Sequence, residues 1–315
     1  MSGVPRSVLS YQTLVHAVAG AAGSIAAMSL FYPLETARTR LQIDDKRTAR
    51  FTPEVISEIF REEGLVSLYR GWFPVISSLC CSNFVYFYTF NGFKTACLDH
   101  MKSTVAIKEL LIGIVAGVIN VLVTTPMWVV NMRMKLQGAN FQTEQKQRSK
   151  HPHYSGIFDA LKRIIHDEGL GALWSGMSSS LILVLNPAIH FMVYESLKRY
   201  ISKYMGGKAP LSVAYFLMGA VSKVIATLVT YPLQLVQTKQ RYGKEESEAN
   251  KKLKSMWSVL TFIIRTQGPK ALYKGLEAKL LQTVLTAAMM FTIYEKIAAF
   301  IFKIMKAEKL SSIQG

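Results

Sequence analysis

The sequence predicts an all-α membrane protein with six transmembrane helices in three pseudo-symmetric repeats, each also carrying a short amphipathic surface helix. Three observations lead to this prediction. Half of the 315 residues are hydrophobic and only 18% are charged, below the ~25% that is typical of soluble domains. The apolar residues are gathered into stretches long enough to cross the ~30 Å hydrocarbon core of a bilayer as helices. Three short motifs also recur in the same order, three times along the chain.

Six apolar stretches are the candidate spans. The first three contain no formally charged side chain and cover residues 14–34, 72–93 and 110–132. The fourth begins at Met177 and ends near residue 194, the fifth covers residues 210–238, and the sixth covers residues 276–302. The first stretch is too long for a cleavable signal peptide and lacks a small-residue cleavage site, so none is expected.

The first recurring motif is a proline followed by polar or charged residues near the end of each odd-numbered span. It begins at Pro33, Pro126 and Pro232. A proline inside a helix removes one backbone hydrogen bond and bends the helix. Three equivalent helix kinks are therefore predicted to close one end of the bundle.

The second and third motifs frame the rest of each repeat. A Glu-Gly or Gln-Gly pair, with an aromatic residue five positions after the glycine, occurs at Gly64, Gly169 and Gly268. An aromatic residue with polar or charged followers ends each even-numbered span. Short amphipathic helices are predicted at residues 53–61, 157–166 and 253–265, at the membrane surface, after polar loops at 44–50, 142–153 and 244–252. The expected repeats are residues 8–100, 104–204 and 208–305, followed by a tail at 306–315.

The charge balance indicates an anionic partner. Lys and Arg number 37 against 20 Asp and Glu, which gives a formal net charge of +17; anionic lipid, nucleic acid or a negatively charged solute would fit. Nucleic acid is not expected, because no aromatic and basic platform lies outside the apolar stretches. Cys80 and Cys81 show no C-x-x-C spacing, so no metal site is expected.

In its three motifs the chain resembles the mitochondrial carrier family, from about residue 14 to residue 302. Residues 71–91, 186–189 and 273–288 are similar to its peroxisomal branch. The resemblance implies a monomeric, multi-pass carrier in the peroxisomal membrane, with the mitochondrial inner membrane as the alternative. It implies coenzyme A, FAD, NAD and AMP as transported substrates rather than bound cofactors, and the lipid bilayer and peroxisomal membrane-protein import factors as partners.

The positions two and five residues after each proline project from one helical face and are the predicted gate. The acid position of one repeat should meet the base position of the next. The resulting pairs are Glu35 with Asn131, Trp128 with Gln237, and Gln234 with Arg38. No full ion pair is expected at this end, and interfacial anchoring is the alternative role for these residues.

The motif that ends the even-numbered spans predicts a second gate at the opposite end. The same pairing joins Asn91 with Lys198, Glu195 with Ala298, and Glu295 with Lys94. Only the last of these is an ion pair. Since polar contacts between membrane helices average ~0.6 kcal/mol, each gate should be weak enough for substrate binding to open it.

Two lysines within the spans are candidate substrate ligands. Lys223 lies nine residues before Pro232, and an ionisable group at that depth normally faces a watery cavity or a partner; snorkelling is the alternative. Lys279 shares a helical face with Gln282 and Thr283 and could anchor a phosphate, or it could be a lysine at the edge of a loop.

The resemblance carries the family's contact positions to Ser78, Ile182, Leu183 and Thr283. The polar neighbours Asn83, Asn186 and Gln282, together with Ser82, then become candidates for base or ribose recognition. Ile182 and Leu183 could provide an apolar seat for an adenine ring. Ordinary helix packing is the alternative for each of these residues.

The expected function is therefore exchange of anionic nucleotide-type cofactors by alternating access, with no enzymatic activity. Two alternatives remain open. The chain could carry another anion, such as a carboxylate or phosphate, or it could be a membrane scaffold or receptor that keeps the fold without transporting.

Overall fold

The computed structural model describes residues 23–44, 51–97, 105–139, 154–204, 212–243, 255–289 and 296. These residues form helices joined by turns and contain no β-strand, which confirms the all-α prediction. Four of the described segments are long and apolar enough to cross a membrane: Leu65–Thr95, Lys108–Leu136, Leu170–Tyr204 and Leu217–Tyr242. Parts of the first and sixth predicted spans, all of the predicted tail, and most of the three predicted loops lie outside the described residues.

The helices follow one another in the same order in each repeat. The first repeat has α1 (23–30), α2 (Tyr32–Ile43), α3 (Thr52–Glu63), α4 (Leu65–Leu68) and α5 (Trp72–Cys97). The second has α6 (Val105–Leu136), α7 (Ile157–Glu168), a 3₁₀ helix (Leu170–Trp174), α8 (Met177–Leu183) and α9 (Asn186–Tyr204). The third has α10 (Ser212–Tyr242), α11 (Met256–Gln267), a 3₁₀ helix (Pro269–Tyr273) and α12 (276–289).

The three repeated prolines occupy two different helical settings. Pro33 lies in the first turn of α2, after a one-residue interruption at Phe31, where its missing N–H costs little. Pro126 and Pro232 lie inside the continuous helices α6 and α10. Helix α2, which begins next to Pro33, continues to Ile43. The predicted first span ended at residue 34.

The surface helices α3, α7 and α11 overlap the predicted segments but have different bounds; α11 begins three residues later than expected. Each ends at a glycine with positive φ, namely Gly64, Gly169 and Gly268. Each also buries one apolar stripe against the preceding odd-numbered helix, as Val55 and Ile59 do against Ala37 and Leu41. The equivalent clusters in the other repeats contain Ala160 and Ile164, and Val259 and Ile263.

The proline end of the bundle is closed by apolar packing. Ile43, Leu136 and Tyr242 are the last or nearly last residues of α2, α6 and α10, and they form one buried cluster with Ala139. Along the bundle, α5 packs against α6 and α9 packs against α10. The three odd-numbered helices thus converge at this end.

The fourth span is interrupted, whereas the sequence predicted one continuous helix. Helix α8 ends at Leu183, residues 184–185 form a turn, and α9 begins at Asn186. Pro187 has no N–H to donate to the carbonyl of Leu183, and its ring disfavours helical geometry in the preceding residue. Helix α6 packs closely against this turn at Gly117. A Cβ added to Gly117 would lie only 2.6 Å from Val184 Cγ1.

Candidate functional site

A cavity of about 340 Å³ lies between α5, α6, α8, α9 and the end of α10. Its volume is near the lower limit of the ~300–1,000 Å³ typical of small-molecule sites. Glu109 lines it near the start of α6, and Trp128, Ser180, Gln237 and Arg241 line it toward the proline end. We call these last four residues the cavity floor.

A hydrogen-bonded polar pair lines the cavity between its two ends. Asn120 Nδ2 on α6 donates to Ser82 Oγ on α5 at 2.9 Å, and Tyr86 lines the same side. Sequence reasoning identified Ser82 but missed Asn120. The available signal was an amide in the middle of an apolar, uncharged span, because polar groups at that depth are costly unless they find a partner.

The closed end holds an ion pair that the sequence reasoning did not anticipate. Lys135 Nζ lies 3.3 Å from Glu35 Oε1 and donates to Thr39 Oγ1 at 2.7 Å. Arg38 Nη1 lies 3.2 Å from the other carboxylate oxygen of Glu35. The structure shows Glu35 in contact with Lys135 rather than with Asn131, because Lys135 lies one turn farther along the same face of α6 and reaches back to the carboxylate; the predicted gating role of Asn131 stays a prediction.

At the interface between the second and third repeats, Arg241 forms no ion pair with any of the described carboxylates. The guanidinium of Arg241 lies 5.6 Å from the ring centroid of Trp128, and its Nη2 donates to Ser180 Oγ at 3.2 Å. Gln237 Nε2 also donates to Ser180 Oγ, at 2.7 Å. The structure thus places Arg241 against Trp128, where the spacing rule had placed Gln237.

The interface between the third and first repeats brings together the pair that the spacing rule suggested. Arg38 Nη2 donates to Gln234 Oε1 at 3.4 Å, a long hydrogen bond. One turn beyond Arg38, Gln42 Nε2 donates to the hydroxyl of Tyr231 at 3.0 Å. The gating role of these residues stays a prediction.

At the opposite end the described residues form two ion pairs, and the one ion pair predicted there, Glu295 with Lys94, involves a residue outside them. Lys198 Nζ lies 3.7 Å from Glu195 Oε1 on the same helix, and the predicted gate contact of Lys198 with Asn91 stays a prediction. Lys94 Nζ lies 2.5 Å from Glu109 Oε1 on the neighbouring α6. Glu295 and Ala298 lie outside the described residues.

Basic side chains are concentrated toward the closed end. Lys279 on α12 is half-buried, and its electrostatic neighbours are Arg38, Glu35, Lys223 and Lys135. Lys223 is exposed when the chain is taken alone, and it is one of the basic neighbours of Lys279. Within this part of the described chain, Lys135 and Arg38 both pair with the carboxylate of Glu35, and Lys279 is a third basic neighbour of it.

The other predicted substrate contacts are spread over several settings. Leu183 lines the 340 Å³ cavity, whereas Asn83 and Ile182 are exposed elsewhere. The Ser78 hydroxyl donates to the backbone of Pro74 and the Thr283 hydroxyl to that of Lys279.

Two amides are held close to neighbouring helices. Asn186 Nδ2 donates to Thr230 Oγ1 at 2.7 Å, which ties α9 to α10 just after the break in the fourth span. Gln282 is buried, and its Oε1 has no hydrogen-bond partner in the described part of the chain. Its Nε2 donates to Met28 Sδ at 3.7 Å, which ties α12 to α1.

Comparisons with known proteins agree with the threefold motif pattern. A family model described as "Mitochondrial carrier protein" matches residues 10–101, 102–205 and 209–305. Peroxisomal membrane protein PMP34 of Mus musculus is 55% identical over 303 residues, covering 95% of this chain and 97% of the relative. The peroxisomal nicotinamide adenine dinucleotide carrier of Arabidopsis thaliana is 32% identical over 314 residues, with 90% and 95% covered. Peroxisomal adenine nucleotide carrier 1 of Glycine max is 30% identical over 306 residues, with 91% of each chain covered.

Proposed function

This chain belongs to the mitochondrial carrier protein family of transporters, and we propose that it exchanges anionic nucleotide-type cofactors across the peroxisomal membrane by alternating access. The proposed substrates are coenzyme A, FAD, NAD, AMP and related adenine nucleotides. The observation that carries the proposal is the surplus of positive charge at the closed end of the bundle interior.

The electrostatics favour a cargo with more than one negative charge. Lys279 has both Lys223 and Arg38 among its electrostatic neighbours, so these like charges repel it. In surroundings of low dielectric constant such repulsion is much stronger than in water. A phosphate-bearing solute that enters from the open side would neutralise several of these groups at once.

The names of two relatives agree with this chemistry, since one is a peroxisomal nicotinamide adenine dinucleotide carrier and the other a peroxisomal adenine nucleotide carrier. The 55% identical relative is also a peroxisomal membrane protein. These names support a nucleotide cargo and a peroxisomal location for this chain. Leu183 and the amides of Asn186 and Gln282 are suited to contact a base or ribose.

Alternating access would depend on the contacts at the two ends. The proline end is held by the Glu35 and Lys135 ion pair, the Arg38 and Gln234 hydrogen bond, and the apolar cluster around Leu136. A ligand can shift a two-state equilibrium only by its differential affinity for the two states. Substrate that neutralises Arg38 and Lys279 would weaken the hold of these cations on Glu35 and favour opening.

The test is counterflow in proteoliposomes loaded with unlabelled AMP. Labelled coenzyme A, FAD, NAD and AMP are supplied outside in turn, with labelled malonate and phosphate as competing cargoes. We expect AMP-dependent uptake of at least one nucleotide. Uptake of malonate or phosphate that is insensitive to nucleotides would indicate a different anion carrier, and no flux of any solute would indicate a scaffold or receptor.

Alanine substitution of the interior lysines tests the charge argument. Lys223→Ala and Lys279→Ala should each lower nucleotide uptake about tenfold or more, because hydrogen bonds to charged groups contribute about 1.5–3 kcal/mol. Lys270→Ala, which removes an exposed lysine from the surface 3₁₀ helix Pro269–Tyr273, is the matched control. Wild-type rates in both interior variants would contradict the electrostatic part of the proposal.

A further inference from the structure

Arg241 is a cation at the cavity floor that is held without a carboxylate. It lies in the last turn of α10, and both Arg241 and its contact residues Trp128 and Ser180 line the cavity. Its Nη2 donates to Ser180 Oγ, and its guanidinium stands over the Trp128 ring. Its Nε is buried and has no hydrogen-bond partner among the described residues. None of the described carboxylates forms an ion pair with it.

Arg241 is half-buried, whereas the three fully buried cations among the described residues near this end, Arg40, Arg133 and Lys135, are each paired with a carboxylate. Arg40 Nη2 lies 2.8 Å from Glu63 Oε2, and Arg133 forms two hydrogen bonds to the carboxylate of Glu168, one of them at 2.8 Å. Lys135 pairs with Glu35. Arg241 instead has another cation, Arg38, as its electrostatic neighbour.

An unpaired buried charge is costly, and a protein gains stability when that charge is paired or removed. The side chain is nevertheless fixed in place, by the Ser180 hydroxyl on one side and the Trp128 ring on the other. A planar guanidinium held in this way offers its remaining N–H groups to a planar or tetrahedral oxyanion. The floor of the cavity therefore has the properties of an anion-binding site.

We propose that Arg241, supported by Ser180 and Trp128, binds a phosphate group of the transported nucleotide at the cavity floor, an inference that rests on the proposed nucleotide cargo. Phosphate is favoured over carboxylate because a phosphomonoester carries about −1.5 to −2 charge near neutral pH, more than the single charge of a carboxylate, and a planar guanidinium can bind it through two hydrogen bonds. The volume of about 340 Å³ suits the phosphate-bearing end of a nucleotide rather than a whole dinucleotide.

The site can be tested by ligand-induced thermal stabilisation of the purified full-length chain in detergent. AMP and pyrophosphate should each raise the unfolding temperature, whereas adenosine and malonate should not. In Arg241→Gln the half-saturating concentrations of AMP and pyrophosphate should rise at least tenfold. Arg241→Lys should have an intermediate effect, because it retains a point charge without the planar fork. Arg265→Gln, which removes an exposed arginine from α11, should respond like wild type.

The unliganded protein provides a second readout that separates binding from structural support. Arg241→Gln removes a repelling, unpaired cation, so the unfolding temperature without ligand should stay the same or rise. A lower unfolding temperature together with an undiminished response to AMP would assign Arg241 a structural role and overturn the inference. Equal stabilisation by malonate and pyrophosphate would overturn the choice of phosphate.

The result is distinguishable from failure of the proposed function. If wild-type proteoliposomes exchange nucleotides and Arg241→Gln binds them normally, the inference fails and the proposed function stands. If no nucleotide is exchanged but pyrophosphate still stabilises the protein through Arg241, the phosphate site stands and the proposed cargo fails. If neither AMP nor pyrophosphate stabilises the wild-type protein, the phosphate site is refuted.

Discussion

Lys135 and Arg241 occupy equivalent positions, each nine residues after the repeated proline of its helix, yet their surroundings differ. Lys135 meets the carboxylate of Glu35 in the preceding repeat. Arg241 meets the ring of Trp128, because the second repeat has tryptophan where the first has Glu35. Equivalent backbone positions can therefore carry side chains with different roles. Lys135 forms an ion pair that holds the bundle closed, whereas Arg241 has no described carboxylate partner and is the proposed ligand for a phosphate.

The third equivalent position extends this contrast. Gln42 is neutral and donates to the Tyr231 hydroxyl, so this position contributes no charge to the interface between the third and first repeats. A nucleotide has no threefold symmetry of its own. A cavity with a pseudo-threefold frame can recognise such a solute only if equivalent positions carry different side chains, as these three do.

Removing the Glu35 carboxylate should have the largest effect of the changes that alter charge. Glu35→Gln leaves Lys135 and Arg38 near each other without their counter-ion, and loss of one partner of a buried pair costs about 3–5 kcal/mol. Because the Glu35 side chain is still 18% exposed, we expect a loss in the lower part of that range. The loss should destabilise the conformer that is closed at the proline end. The measurement is the unfolding temperature of unliganded protein, compared directly with Arg241→Gln.

The reversed pair provides the control for this prediction. In Glu35→Lys with Lys135→Glu the two charges exchange places, so part of the lost stability should return relative to either single variant, as a double-mutant cycle measures. Equal losses of stability in Glu35→Gln and Arg241→Gln would show that the two interfaces do not differ in the way the contacts indicate.

Glycine substitutions should reveal how tightly each interface is packed. A Cβ on Gly71 would lie 2.8 Å from the Cα of Lys135, whereas a Cβ on Gly176 would lie 3.3 Å from its nearest atoms in Gln237 and Arg241. Both glycines have positive φ, which alone costs an alanine about 1–2 kcal/mol. Overpacking adds about 1–3 kcal/mol, so Gly71→Ala should be the more destabilising change when unfolding temperatures are measured.

Gly64 supplies the matched control, because it has φ 81° but no described atom lies within 4 Å of the position that a Cβ would take there. Gly64→Ala should show the backbone cost without the clash. The expected order of destabilisation is Gly71→Ala, then Gly176→Ala, then Gly64→Ala. If Gly176→Ala were as harmful as Gly71→Ala, the interface that contains Arg241 would be as rigid as the one that contains Lys135.

The sequence predicted the features that depend on a repeated pattern. It predicted individual side-chain contacts much less well. Helix type, the repeat order and the surface helices follow from hydropathy and motif recurrence, which reflect many residues at once. The Lys135 contact was missed because the pairing rule considered only positions two and five after the proline. A basic residue one turn farther, on the same face as Asn131, was the usable signal.

Other features could not be read from a single chain. The interruption of the fourth span at residues 184–185 depends on Pro187 and on the close approach of Gly117 to Val184, and a proline within a span predicts such a defect only when its neighbours are known. The choice of Ser180 as the shared acceptor of Gln237 and Arg241 depends on the relative rotation of α8 and α10. Local periodicity does not determine that rotation.

The smallest effect is expected from changing the ring beneath Arg241. Trp128→Leu removes a cation–π contact worth about 0.5–2 kcal/mol, depending on how far the pair is shielded from water, and Trp128→Phe should retain part of it. Since Arg241 keeps its charge and its bond to Ser180, AMP binding should weaken only about two- to tenfold, less than in Arg241→Gln. Thermal stabilisation by AMP measures both variants.

A loss of AMP binding as large as that in Arg241→Gln would mean that the Trp128 ring itself contacts the solute. The cavity floor would then recognise a base as well as a phosphate. Binding unchanged in Trp128→Leu would instead mean that Ser180 alone orients the guanidinium, which would make the contrast with Lys135 one of charge pairing only.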